Sequence, residues 1–397
     1  METTSACTGL TCTECDASHD PDPAAGRCPE CGGILDPTYD YASLSGTPSA
    51  LGFADGPDSM YRYDALLPFP ASASVTMAEG ATPLVDCPSL ADEVGVGRLL
   101  IKDEGRNPTG TFKDRGATVA VTAAAMAGAS DVALPSAGNA GQAAAAYAGR
   151  AGLDAHVFLP SRAGFDQKAM VNVHGADLTV VEGRLPEAAD ACADAVAEAS
   201  WTAIGSFETP YRHEGKKTMF YEVARSLDWT APDAVVYPTG GGVGLVGVHK
   251  AARELERLGV TDDLPRLYAA QAAGCAPIAR AVEEDREQTT PWETPDTICG
   301  GIEVPDPAAG SLVLDAVRAS GGGAVATDDD AILESACTAA ASAGVEMGAP
   351  CAAALSGAEA LAADDELGTD DTVVVLNTGS ANKDTDVLRS HLMKKGI

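Results

Sequence analysis

Asn107-Pro108-Thr109-Gly110-Thr111-Phe112-Lys113-Asp114-Arg115-Gly116 is the stretch around which the rest of the chain is arranged. Before it, Leu99-Leu100-Ile101-Lys102 reads as a short buried strand, and after it residues 117–128 are rich enough in alanine for a helix. A lysine at a turn-to-helix junction, flanked by Pro108, Gly110 and Gly116, is well placed to present its amine to a bound ligand. A surface lysine that merely starts a helix would look the same, so this stretch needs support from elsewhere.

Two glycine-bearing strand-to-helix turns supply it. Pro135-Ser136-Ala137-Gly138-Asn139-Ala140-Gly141 follows a strand and opens a helix, which turns backbone N–H groups toward an anion. Alone it reads better as a Gly-Asn turn capping a helix. Sharper is Thr239-Gly240-Gly241-Gly242-Val243-Gly244, which follows the buried strand Asp233–Pro238 and leads into a helix through His249 and Lys250. Its glycines let the backbone close around a phosphate at a helix N-terminus. The spacing is not the dinucleotide Gly-x-Gly-x-x-Gly after an early strand. A last strand, residues 372–376, runs into Asn377-Thr378-Gly379-Ser380.

Taken together, these segments resemble threonine synthase and its relatives, the pyridoxal-phosphate (PLP) enzymes of the tryptophan-synthase-β fold. The similarity covers about residues 78–383 and begins near Glu79-Gly80-Ala81-Thr82-Pro83-Leu84. It implies an α/β architecture of fold type II, two domains with open, mostly parallel twisted sheets. Lys113 matches the family's Schiff-base lysine, and Asn139 the residue that bonds the cofactor's 3′-oxygen. Gly240, Gly241, Gly242, Val243 and Gly244 match the phosphate loop. Ser380, with Thr378 as second choice, matches the hydroxyl partner of the pyridine nitrogen. Ser136 with the amides of Ala137 and Gly138 would hold the substrate carboxylate. Arg162, Arg212 and Lys217 are candidates for a substrate phosphate, the last two within Tyr211-Arg212-His213-Glu214-Gly215-Lys216-Lys217-Thr218. These cations read equally as a solvated helix start. Gly274-Cys275-Ala276-Pro277-Ile278 resembles the family's following loop.

The resemblance implies a PLP-dependent lyase that converts O-phosphohomoserine and water to threonine and phosphate, with Lys113 as acid and base. Three departures, Ala140, Ser380 and Pro350-Cys351-Ala352, stand where relatives usually carry a hydroxyl residue, a histidine and Pro-Glu-Gly. They lie where substrate selection is expected, so a threonine dehydratase-like ammonia-lyase or a β-replacement enzyme on a phosphoserine-type substrate stays open. So does a catalytically silent binding relative.

Ahead of this region, Cys12-x2-Cys15 and Cys28-x2-Cys31 form two knuckles whose four thiolates complete a tetrahedral site, a structural zinc ribbon with no open position for catalysis. A redox pair, or a ribbon that has lost its metal, would share the spacing. Some threonine synthases carry such a leader. Glu14, Asp16, Asp20, Asp22 and Glu30 give the ribbon the wrong charge for nucleic acid. The expected division is 1–36 ribbon, 37–77 arm or linker, 78–112 with 206–397 a large PLP-binding domain, and 113–205 a small mobile domain. Between residues 113 and 205, strands at 132–134, 156–159, 177–181 and 202–204 alternate with helices near 140–151, 165–174 and 186–200, the pattern of βαβ units.

Composition bounds the remaining readings. The chain has 397 residues, 58 acidic against 26 basic, and a net charge of −32, which repels nucleic acid and anionic membranes. The acid is dispersed, as in Asp328-Asp329-Asp330 and Asp364-Asp365-Glu366. That fits a protein kept soluble in concentrated salt, where the Debye length shrinks to about 3 Å at 1 M, or simply an acidic protein. No run reaches the ~18 apolar residues of a membrane span. Met1-Glu2-Thr3-Thr4 lacks the basic and apolar regions of a signal peptide, so a cytoplasmic enzyme is expected, without disulfides among its 11 cysteines. A homodimer is expected from the relatives alone.

Overall fold

A computed structural model of the chain describes residues 3–44 and 46–396; Met1, Glu2, Gly46's neighbour at position 45 and Ile397, which fall within the expected ribbon, arm and large domain, lie outside the described residues. The chain divides into two compact units. The first contains the described residues up to Ala81, with Lys113–Met219 and Arg257–Val260; the second contains Thr82–Phe112, Phe220–Glu256 and the described residues from Thr261 onward.

In the first unit, Cys7–Cys12 pairs antiparallel with Ser18–His19 on one side and Leu35–Tyr39 on the other, giving the small ribbon sheet. A second sheet runs in the order Asp177–Val181, Asp154–Pro160, Asp131–Pro135, Thr202–Ala203, all parallel. Its core gathers Val132, Leu134, Val157 and Leu159 with alanines of the Lys113–Met126 and Asn139–Ala151 helices. The Lys113 helix is buried on nearly every side from Asp114 to Ala124 and has no polar face to give water, which explains why its sequence is mostly small residues. It crosses the helix beginning at Tyr211 at a pair of glycines. A Cβ on Gly116 would lie 2.9 Å from the Arg212 carbonyl oxygen, and one on Gly215 1.8 Å from that of Arg115.

The second unit holds a six-stranded sheet in the order Gly323–Thr327, Arg266–Ala272, Ala234–Pro238, Thr372–Asn377, Arg98–Asp103, Leu84–Asp86. Every neighbouring pair is parallel except Leu84–Asp86 against Arg98–Asp103. The strands Ala234–Pro238 and Thr372–Asn377 are buried on both faces, as parallel sheet covered by helices requires. Fold class and sheet character therefore match the α/β, mostly parallel architecture expected from the sequence.

The ribbon and arm group with Lys113–Met219 in the first unit. Long-range polar contacts run between them. Tyr39 Oη donates to Glu214 Oε2 at 2.5 Å, His213 Nε2 lies 2.8 Å from Asp36 Oδ1, and the Lys217 ammonium sits 4.2 Å from the Tyr39 ring centre. Arm residues Met60, Tyr61, Leu67 and Phe69 also pack with Val119, Ala123 and Tyr211.

Candidate active site

A buried charged network holds the base of the loop that leads to Lys113. Lys102 Nζ donates to Glu222 Oε2 and to the Thr82 carbonyl, both at 2.6 Å. Thr82 Oγ1 donates to Glu104 Oε1 at 2.6 Å, and Asn107 Nδ2 to Glu104 Oε2 at 2.8 Å. Lys102 and Glu222 form an ion pair, and Glu104 is hydrogen-bonded by Thr82 and Asn107, which fixes Asn107. Gly110 then turns with φ +80, a left-handed backbone that favours glycine. Thr111 bridges Gly379, Phe112 N–H donates to the Thr378 carbonyl at 3.0 Å, and Ser380 N–H donates to the Gly110 carbonyl at 3.0 Å. The two residues before Lys113 are thus bound to the loop after the last strand. Lys113 itself begins the next helix.

The glycine loop is anchored by residues that the sequence did not single out. Thr239 N–H donates to the Ala270 carbonyl at 2.7 Å, and Gln271 Nε2 to the Thr239 carbonyl at 3.1 Å. Gln271 Oε1 accepts the N–H groups of Ile278 and Ala279 at 2.9 and 3.0 Å, tying the loop to the next helix. Its only sequence signal is an amide among the apolar residues that follow Arg266 in the strand Arg266–Ala272. Gly242 has φ +78, and its Cβ would fall 2.1 Å from Val313 Cγ2; a Cβ on Gly244 would fall 1.8 Å from Tyr237 Oη. Gly241, by contrast, would meet nothing within 4 Å. The loop is thus packed tightly from behind, open at Gly241, and continuous with the N-terminus of the Val243–Arg257 helix. That is the cradle an anionic tail requires.

In the first unit, Ser136 Oγ accepts the N–H groups of Gly138 and Gly141 at 2.9 and 2.8 Å. Its acceptor capacity shapes the asparagine loop, and its one proton is left for a ligand. Asn139 opens the next helix with its Oδ1 buried and without a hydrogen-bond partner among the described residues. A buried carbonyl oxygen left this way costs about 1–3 kcal/mol, so a bound group that supplies a donor would recover it. Taken separately, the Lys113 amine, the Asn139 side chain and the amides of the glycine loop are each groups of the kind PLP binds.

The three proposed cations fare differently. Arg162 is exposed in the turn after Asp154–Pro160. Lys217 is fully buried but committed, 2.7 Å from Glu214 Oε2. Arg212, also buried, spends only Nη1 on the Ile204 carbonyl at 2.7 Å; its Nε and Nη2 have no partner among the described residues. Burial draws its pKa down to about 10, which still leaves it charged at neutral pH. One turn on lies Lys216, fully buried, its amine held well below the ordinary lysine value first by burial and then by Lys113 and Arg212. The sequence reading passed over Lys216, although the i,i+4 spacing from Arg212 puts both on one helix face.

Of the two hydroxyls considered for the pyridine nitrogen, Ser380 is half-buried and accepts the Asn382 N–H at 3.4 Å. Thr378 is buried at the end of the last strand, and its hydroxyl donates to Cys351 Sγ at 3.2 Å.

The family described as "Pyridoxal-phosphate dependent enzyme" matches residues 75–379. The chain belongs to that family. Within it, the chain is threonine-synthase-like. It is 36% identical to threonine synthase of Methanosarcina acetivorans over 94% of this chain and 92% of that one. It is 33% identical to threonine synthase of Methanocaldococcus jannaschii over 94% and 93%. Among solved structures, the fold matches a fungal L-serine ammonia-lyase from Rhizomucor miehei with TM-score 0.68 and 22% identity, covering 79% of this chain and 98% of that one. It also matches diaminopropionate ammonia lyase from Escherichia coli with TM-score 0.70 and 16% identity, covering 81% and 90%. At such identities these structures speak to fold alone.

The ribbon cysteines form a second cluster. The sulfurs of Cys12, Cys15, Cys28 and Cys31 all lie within 4.8 Å of one another, with Cys12 3.4 Å from Cys31 and Cys15 3.8 Å from Cys28. A tetrahedral shell with Zn–S bonds of about 2.3 Å sets its sulfurs about 3.8 Å apart, so the four thiolates fit zinc. His19 stands 3.7 Å from Cys28 Sγ, outside that set of four. Among the described residues no helix is long and apolar enough to cross a membrane.

Proposed function

We propose that the chain is a threonine synthase, converting O-phosphohomoserine and water to threonine and phosphate. The observation that carries this reading is Arg212. A buried guanidinium with two nitrogens lacking partners among the described residues is a receptor suited to an oxyanion, and a phosphorylated amino acid supplies one. Relatives named threonine synthase at 33–36% identity support it.

Bound PLP supplies an electron sink that lets protons leave the carbons beside the substrate amino group. This chain's residues do the rest. The amides after Thr239 bind the cofactor phosphate, Asn139 holds the ring oxygen, and a hydroxyl, Thr378 by its burial, donates to the ring nitrogen. Ser136 and the amides of Ala137 and Gly138 orient the substrate carboxylate, and Arg212 its phosphate. The Lys113 amine moves protons at the substrate carbons, which requires a pKa brought toward neutrality. Next to it, burial and then the charges of Lys113 and Arg212 hold the Lys216 amine well below the ordinary lysine value, which makes Lys216 a neutral neighbour able to accept a proton. The four ribbon cysteines hold a structural zinc, and the active species is a homodimer.

The second reading is an ammonia-lyase acting on threonine or serine, favoured by Ala140 and Cys351 standing where relatives carry other groups. Purified protein is to be given O-phosphohomoserine and, separately, threonine, with phosphate and 2-oxobutanoate measured together. Phosphate and threonine from the first substrate support the synthase; 2-oxobutanoate from threonine without phosphate release supports the lyase.

A further inference from the structure

Cys351 lies in the first turn of the Ala349–Ala363 helix, remote in sequence from the last strand yet against its end. Thr378 Oγ1 is 3.2 Å from its sulfur, and the chain packs closely around that pair. A Cβ on Gly348 would come 3.4 Å from the sulfur, and one on Gly379 3.6 Å. No solvent reaches the thiol in quantity, and Thr378 is buried beside it. On its other side Thr378 is fixed through its carbonyl, which accepts the N–H of Phe112, the residue before Lys113.

A threonine hydroxyl has one proton and two lone pairs. With that proton on the sulfur, as the structure has it, the hydroxyl faces any second partner as an acceptor. An unprotonated pyridine nitrogen is itself only an acceptor, so the hydroxyl must turn its proton outward to meet it. The oxygen then needs a donor behind it, and the Cys351 S–H is the group in reach. From this geometry we infer that Cys351 is a positioning residue: its S–H donates to Thr378 Oγ1 and so commits the Thr378 proton to the cofactor's ring nitrogen. Burial keeps the thiol protonated, pushing its pKa up to about 12, so the donor is present at all working pH values. The ring nitrogen is held unprotonated, which tempers the electron sink and suits elimination and addition over racemisation. This inference rests on the Thr378 assignment within the proposed function.

The test is a double-mutant cycle on PLP uptake by apoprotein, read as a dissociation constant and as the visible absorption spectrum of the loaded protein. C351A is expected to weaken PLP binding about 5-fold, the size of one buried hydrogen bond, and to shift the absorption band, while C351S, which keeps a donor, stays within about 2-fold of wild type. C351V, which fills the volume without a donor, replaces C351A if alanine leaves the protein unstable, and must behave like it. In a T378V background, C351A is expected to add less than about 2-fold. Equal binding and spectra for C351A, C351S and wild type overturn the inference, and so does a C351A effect of the same size with and without Thr378. If T378V changes nothing and S380A weakens binding, the Thr378 assignment fails and the inference with it. Failure of wild type to take up PLP would instead sink the cofactor reading itself.

Discussion

Gly215 lies against the carbonyl oxygen of Arg115 so closely that an added Cβ would sit 1.8 Å from it. Gly116, next in sequence to Arg115, meets the same helix at Arg212 and Lys216. Glycine is required at this crossing for approach, since neither residue carries a positive φ. The contact brings the Lys113 helix and the Arg212 helix together within the first unit.

Gly215→Ala forces two buried backbones apart. A loss of at least about 2 kcal/mol is expected, in the upper range of overpacking, with the Arg212 face displaced. Urea unfolding of the purified variant checks it, and an unchanged midpoint would mean that the helices are not packed as described.

Arg212→Met separates binding from stability. The side chain is charged, buried and under-partnered, so an apolar replacement of similar length should leave the thermal midpoint unchanged or raise it. Over the same change kcat/KM for O-phosphohomoserine should fall about 100-fold, from lost hydrogen bonds to an anion. Calorimetry and a phosphate-release assay are needed on one preparation. A variant that loses stability but keeps kcat/KM would make Arg212 a packing residue.

Metal removal should be felt beyond the ribbon. The strand after Cys31 carries Asp36 and Tyr39, which hold His213 and Glu214, the two residues directly after Arg212. Dialysis against a strong chelator is expected to remove about one zinc per chain and to raise the KM for substrate while PLP stays bound. Loss of zinc with no change in KM would confine the ribbon to a role in folding.

A pH effect follows from Asp384. Burial raises its carboxyl to about 6, against the opposing pull of the Ala349 N–H and Lys383. A folded-state pKa above the unfolded value of about 3.9 means that the folded protein binds this proton more tightly. The stability it contributes is present below pH 4 and is lost as pH rises through 6. Asp384→Asn should therefore unfold at a higher denaturant concentration than wild type at pH 8, with the gap closing at pH 4. A gap independent of pH would place the benefit elsewhere.

Much of the site could be read from the chain because its parts are local. The Lys113 turn, the Asn139 loop and the Thr239–Gly244 loop each sit where a buried strand ends and a helix begins, and hydrophobic periodicity marks both sides. The alternating strands and helices from 131 to 203 follow the same pattern. What escaped was set by pairing at long range. Gln271 is an ordinary amide until the Thr239 carbonyl is opposite it, and Cys351 one of several scattered cysteines until Thr378 is 3.2 Å away. Arg162 and Arg212 look alike in sequence, and only burial separates them. The tie between the ribbon strand and the Tyr211 helix was hidden for a related reason: Asp36 and Tyr39 bind a helix that lies far along the chain.

Borohydride reduction of the PLP-loaded protein, followed by peptide mass spectrometry, tests the central claim most directly. A single pyridoxyl adduct on Lys113, lost in Lys113→Ala, is the predicted result. An adduct on Lys216 or any other lysine, with Lys113 unmodified, would contradict the account.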